Sequence, residues 1–387
     1  MSISPACRRV LLLSSIKGLG VKRFYELFSV VGSTEALFAG KFVDELRASL
    51  SPALWRSIAA VLSKANCQCD DFYLLTVESW LTGCDSRRVI CIEDSSYPEL
   101  LKQVFNPPPV LYFQGELSVL ARPSISIVGS RKPSLPGLRH AQTFAGALAA
   151  KGVCVTSGLA LGIDGAAHRA ALQVGGVTCA VLATGLDRVY PRQHESLAKE
   201  IMNQGLLVSE MKLGTPPLPH HFPRRNRIVS GLSHGVLVVE AGVKSGSLIS
   251  ARFAIEQNRE VYAVPSSIDN LHAKGCHHLI KQGARLVECV DDILEDAQLS
   301  SMIKSEMSGS AVAPSAEYVD LDEEERALLQ VMGFECVTFD FLSEQLPETV
   351  DYLVQRLLIL EVKGVIAQVP GGYQALKTVN FGDHKIV

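Results

Sequence analysis

The chain has 387 residues, 47% of them hydrophobic, so it can bury a large core, and at roughly 150 residues per domain it should form two or three domains. Its formal charge is −3 at pH 7, which excludes a global electrostatic case for nucleic acid and leaves only local patches to make one. The 10 cysteines fit no zinc spacing and Val10–Leu13 is too short an apolar run for a secretory or membrane segment, so we expect reduced thiols, no metal, no membrane and a cytoplasmic chain.

Residues 8 to about 80 read as helices, and 1–85 as an N-terminal helical domain. Leu11, Leu12 and Ile16 lead into Lys17-Gly18-Leu19-Gly20, and Phe24, Leu27 and Phe28 follow at helical spacing. Such a Gly-x-Gly turn is like a helix-hairpin-helix whose amides could meet phosphate. A tight helix–helix turn that uses glycine for its backbone freedom explains it more simply. Residues 96–123, with Tyr97-Pro98 and Pro107-Pro108-Pro109, read as extended.

From 124 onward short apolar runs alternate with helix-length segments. The runs are Ile125–Val128, Val153–Thr156, Cys179–Leu182, Leu206–Val208, Val236–Val239, Val261–Val264 and Leu286-Val287. The helical stretches between them include 138–150, 164–173 and 247–257. Val/Ile/Leu runs of this kind suit strands buried on both faces. Strand–helix alternation then implies a doubly wound, Rossmann-like parallel sheet over 86–297. Residues 298–318, rich in Ser, Ala and Met, read as a linker. Residues 319–387 show two helical patterns and a short hairpin, a winged-helix-like domain.

Glycine or another small residue ends almost every central strand. In open α/β sheets ligands sit outside the carboxyl ends of the strands, where bare amides and helix N-termini favour phosphate. Four segments should converge there: Gly129-Ser130-Arg131, the stretch from Ser157 and Gly158 through Gly162 and Asp164 to Gly165, Phe222-Pro223-Arg224-Arg225-Asn226-Arg227, and Glu240 through Lys244-Ser245-Gly246 to Ser247. The second is not GxGxxG and the fourth is not GxxxxGK[ST], so neither a dinucleotide site nor ATP hydrolysis is indicated, and no cofactor is expected. The third is the most informative. Its arginine forks match phosphate oxygens, and Phe222 offers a stacking face for an unpaired base. Arg131 is either a ligand contact or a surface residue. Asp164 reads as a helix cap, His168 as a packed core histidine, and Glu240 as the partner of Arg225, with a general base as the lesser alternative for the last two. No catalytic triad, HExxH or paired-carboxylate motif appears.

The order of these motifs resembles the DNA-processing A (DprA/Smf) family. The likeness spans about 90–295 and, more loosely, the whole chain. It runs through Tyr97-Pro98, Leu111-Tyr112 and Ile127-Val128-Gly129-Ser130-Arg131, then Ser157-Gly158-Leu159-Ala160 with Gly162-Ile163-Asp164 and Ala167-His168, and Tyr190-Pro191. It ends with Phe222-Pro223, Arg225-Asn226-Arg227-Ile228, Glu240-Ala241, Ser245-Gly246-Ser247-Leu248 and Val264-Pro265. The resemblance implies an extended Rossmann fold, single-stranded DNA binding, homodimerisation and loading of the recombinase RecA during natural transformation. It also implies an N-terminal helical (SAM- or helix-hairpin-helix-like) domain and a C-terminal winged helix. By position, Ser130, Arg131, Gly158, Gly162, Arg192, Phe222, Arg225 and Asn226 would line the DNA pocket. The chain departs from the family at Ser266, where Gly is usual, and at His277 and His194, where Asn is usual or frequent. Two other readings stand beside this one: a related Rossmann-like enzyme that binds a nucleotide derivative, and a transcription regulator acting through the winged helix.

Overall fold

The computed structural model describes residues 3–65, 72–296, 300–303, 322–332, 337–346, 349–369 and 371–375. The chain forms two compact units, Met1–Ala313 and Pro314–Val387.

The first unit is organised by a nine-stranded sheet of order β1-β2-β6-β5-β4-β3-β7-β8-β9. The strands are β1 (Arg87–Cys91), β2 (Val110–Gly115), β3 (Ser124–Val128), β4 (Cys154–Ser157), β5 (Thr178–Val181), β6 (Leu206–Ser209), β7 (Gly235–Val238), β8 (Glu260–Ala263) and β9 (Arg285–Leu286). Strands β3 to β7 are buried at every residue, as their apolar runs require. Pairing is parallel from β6 across to β9. The edge differs from the sequence reading. Within the stretch 96–123, read only as extended, β2 joins the sheet antiparallel to β6, and β1, which precedes that stretch, pairs antiparallel to β2. The prolines before Val110 hide this strand, because they break the apolar run that would announce it.

Helices Leu135–Ala150 and Ile163–Gln173 cover one face, and His221–Gly231, Ser247–Glu256 and Lys274–Lys281 cover the other. Alanines on the first pair (Ala141, Ala145, Ala167, Ala171) carry little bulk, so the helices lie close to the sheet. The Leu135–Ala150 helix starts where it does because Ser134 accepts the Gly137 amide and Pro136 occupies its first turn.

The N-terminal helices Pro5–Ser15, Val21–Val31, Thr34–Phe38, Val43–Ser49, Pro52–Ala65 and Phe72–Thr82 share a core with the sheet: Val10, Leu13 and Phe24 belong to one cluster with Tyr112, Ala180, Leu197 and Leu207. Residues 300–303, read as the start of the linker, are helical, and Ile303 packs into the sheet's core. The rest of that reading, 298–299 and 304–318, lies outside the described residues. Among the described residues no helix is long and apolar enough to cross a membrane.

The second unit holds helices Glu323–Met332, Phe339–Gln345 and Val350–Val362 and the hairpin Ile366–Val369/Gly372–Ala375, the winged-helix arrangement. Leu328, Leu353, Leu357, Leu360 and Ile366 form its core. Arg356 is tied to Asp322 and Glu324, and Lys363 to Glu325. The opposite face of the Val350–Val362 helix exposes Val350, Val354, Leu358 and Val362. That face offers no cation to a DNA backbone.

Candidate functional site

The order of the strands reverses beside β3: the chain runs outward through β4, β5 and β6, then crosses to β7 on the other side. The reversal opens a crevice between the ends of β3 and β7, and a second opening lies past the ends of β3, β4 and β5. The structure fills one and leaves the other open.

The crevice toward β7 is closed by the chain itself. Ser130 donates its amide to Glu240 O at 2.8 Å. The Glu240 carboxylate is buried and accepts the Ser134 amide at 3.1 and 3.3 Å, together with the Ser134 hydroxyl. An internal anion thus occupies the N-terminus of the Leu135–Ala150 helix, where a Rossmann-type turn would hold phosphate. This corrects the expected Glu240–Arg225 pair. The Glu240 carboxylate is taken up by the amide and hydroxyl of Ser134, while Arg225 lines the other crevice.

The crevice toward β4 and β5 is a shallow open pocket of about 60 Å³, lined by Arg131, Gly158, Ala160, Leu161, Ala183, Thr184, Tyr190, Pro191, Phe222 and Arg225. Its base is built from the loop after β4. Ser157 donates its hydroxyl to Ile127 O at 2.6 Å. Gly162 has φ +80° and presses on the β3 turn so closely that a Cβ would sit 2.4 Å from Ser130 O. Asp164 is buried and accepts the amides of Gly158 (3.1 Å) and Ala160 (3.3 Å). It therefore staples the loop rather than capping the helix; the N-cap is Gly162.

Arg225 is the buried cation of this pocket. Its guanidinium occupies the space over Gly158, where a Cβ would come within 1.4 Å of Nη1. Burial pulls its pKa down to about 10, against the opposing pull of Asp164, so it stays charged at neutral pH. Burial also pushes the Asp164 carboxyl up, against the pull of Arg225 and of the loop amides. The Arg225 Nε–H has no hydrogen-bond acceptor among the described residues. A buried cation with an unanswered donor favours an arriving anion.

The rim is aromatic and cationic. The Arg131 guanidinium stands 5.3 Å from the centre of the Phe222 ring, and the Tyr190 ring lies 5.6 Å from the Phe222 ring at 60°. Phosphate donors and stacking faces thus meet at one opening.

Of the residues expected at the site, Arg131, Gly158, Phe222 and Arg225 line this pocket. Ser157 and Gly162 shape its base. Gly129 packs on Ile163, and Ser130 on the closed crevice. Arg192 is exposed just past Pro191 and does not line it. Arg224 and Arg227 both pair with Glu210. Asn226 donates to Gly246 O at 3.3 Å and pins the Lys244-Ser245-Gly246 loop, which stays outside the pocket, with Lys244 exposed. The sequence reading passed over Tyr190, Pro191, Ala183 and Thr184 as lining residues. Their position at and beyond the end of β5 was the available signal.

His168 is fully buried, with Nδ1 2.7 Å from Thr178 Oγ1, and burial holds its pKa down at about 3. It is a packed core residue. Two of the departures from the family pattern meet: His277 Nε2 lies 2.9 Å from Ser266 O. The third, His194, is buried with Nδ1 3.0 Å from Leu159 O, at the left-handed residue (φ 56°) of the pocket loop.

The family model described as DNA recombination-mediator protein A matches residues 88–298, and the DprA winged helix domain model matches residues 312–372. The chain is 46% identical over 294 residues to protein Smf of Escherichia coli (strain K12), covering 76% of this chain and 78% of that one. It is 45% identical over 205 residues to the DNA processing protein DprA of Streptococcus pneumoniae (strain ATCC BAA-255 / R6), covering 53% and 72%. The X-ray structure of DNA processing protein A from Streptococcus pneumoniae aligns with a TM-score of 0.60 at 34% identity, over 76% of this chain and 99% of that one.

Proposed function

From the premise that this chain belongs to the DNA recombination-mediator protein A family, we propose that it binds single-stranded DNA largely without sequence preference, and that it does so as a binding protein rather than an enzyme. One observation carries the reading: Arg131 and Arg225 line the same pocket as the paired rings of Tyr190 and Phe222. Guanidinium forks neutralise the sugar–phosphate chain, and the rings accept any base, because every base has a π-face. Neither contact reads base edges, so sequence preference is weak.

The pocket's volume weighs against the nucleotide-enzyme alternative. About 60 Å³ is well short of the roughly 300–1,000 Å³ of a small-molecule site. The exposed apolar face of the Val350–Val362 helix weighs against a regulator that reads duplex DNA through that helix. Protection of the bound strand and its delivery to RecA in the cytoplasm during DNA uptake rest on the family resemblance. Homodimerisation likewise rests on the family resemblance, and Val243, Ile268 and Leu271 are exposed apolar residues it could cover.

Binding of an oligothymidylate, followed across a salt series, tests the reading. Log affinity should fall linearly with log salt at about −0.7 per neutralised phosphate. A response independent of salt would overturn it. Filament formation by RecA on the bound strand, scored alongside, tests the delivery step.

A further inference from the structure

A second cleft, of about 240 Å³, opens on the far side of the first turns of the His221–Gly231 helix. Its walls include Val21, Phe105, Asn106, Arg224, Arg227 and Phe253. We infer that this cleft is a second subsite for the same single strand, in which Phe105 stacks a base and Arg224 and the start of the Val21–Val31 helix take the phosphates. The inference rests on the single-strand reading above and extends it.

Three features support it. Phe105 is 89% exposed, although the loop that carries it is fixed: Asn106 has φ 52°, and its carbonyl accepts Arg227 Nη1 at 2.9 Å. A pinned loop that holds a bare ring in water suits a stacking platform. The cations are likewise set in place. Glu210, whose side chain is 2% exposed, anchors Arg227 deep in the wall and holds Arg224 Nε at 3.0 Å, while the Arg224 side chain keeps 47% of its surface in solvent. Glu256, also at the cleft, is offset by Arg252 at 3.5 Å.

The third feature is the Gly-x-Gly turn. Val21 opens its helix, and the N-cap Gly20 has no side chain to cover the first amides. Lys22, beside them, is exposed, with its ammonium 3.9 Å from the Glu26 carboxylate. A helix start of this kind, facing two arginines and an aromatic ring, suits phosphate. Arg224 and Arg225 are neighbours on one helix, so a strand leaving the first pocket reaches the second by crossing one turn of backbone.

The full chain should be titrated by fluorescence anisotropy with a strand of about 4 nucleotides and one of about 16, which bracket common single-strand site sizes. Phe105→Ala, at an exposed position, should lower affinity for the long strand about 10-fold and leave the short strand unchanged. In a Phe105→Trp variant, indole emission should be quenched by the long strand and not by the short one. Unchanged long-strand affinity in Phe105→Ala, or equal losses on both lengths, would overturn the second subsite while the first pocket stands. Failure of the unsubstituted chain to bind either strand would remove both.

Discussion

The two crevices beside β3 are made of the same materials and do opposite things. Each has a glycine-bearing strand end, a helix start and a buried acid. On the β7 side the acid, Glu240, points into the helix start and consumes its donors. On the β4 side the acid, Asp164, turns back to its own loop and leaves the pocket to Arg225. In this chain, the crevice proposed to take the strand is the one whose acid is turned into its own loop and away from the opening.

The largest effect should come from filling the open side. Gly158→Val places a side chain where the Arg225 guanidinium lies, so the arginine must leave or the loop must open. We expect single-strand binding to fall below detection in a gel shift. Wild-type affinity in this variant would break the contrast between the crevices.

Opening the closed side should act on stability instead. Glu240→Ala strips the Ser134 amide and hydroxyl of their acceptor. The expected cost is about 1–3 kcal/mol in urea unfolding, with DNA affinity nearly unchanged. Inorganic phosphate should recover part of that stability in the variant and none in the unsubstituted chain. A large loss of DNA affinity would mean that the closed crevice binds the strand after all.

The last effect, seen only at acid pH, is that of His168, buried on the Ile163–Gln173 helix that follows the pocket loop. His168 has a folded pKa near 3, below its ordinary value near 6.5, so unfolding takes up a proton. Its neutral form stabilises the fold fully above about pH 6.5, and this contribution is lost progressively as pH falls toward 3. At pH 5 the loss should be about 2 kcal/mol. His168→Asn should flatten the fall in melting temperature between pH 6.5 and 5, and an unaltered slope would exclude His168 as its source.

Much of the sheet was legible in the sequence, because strands buried on both faces need near-continuous apolar runs, and β3 to β8 come close, broken by small polar residues such as Ser126 and Thr156. β2 was not, since its run follows three prolines and its partner β6 is antiparallel. At the site, the residue types in the Phe222–Arg227 segment announced an anion surface. What each arginine does was not legible. Arg224, Arg225 and Arg227 differ through Glu210, Gly158 and Asn106, none of which is near them in sequence. Glu240 was assigned to Arg225 by charge alone, and the choice was decided by which amides its strand end reaches.

The antiparallel edge has a practical consequence for dissecting the molecule. Ser4 reaches Asp94 and Thr34 reaches Glu93, while Phe24 and Leu13 pack in the cluster that holds Tyr112. A fragment begun at the first strand would bare that cluster to water. The helices that precede it are a roof and not an appendage, and shorter versions of this protein need to keep them.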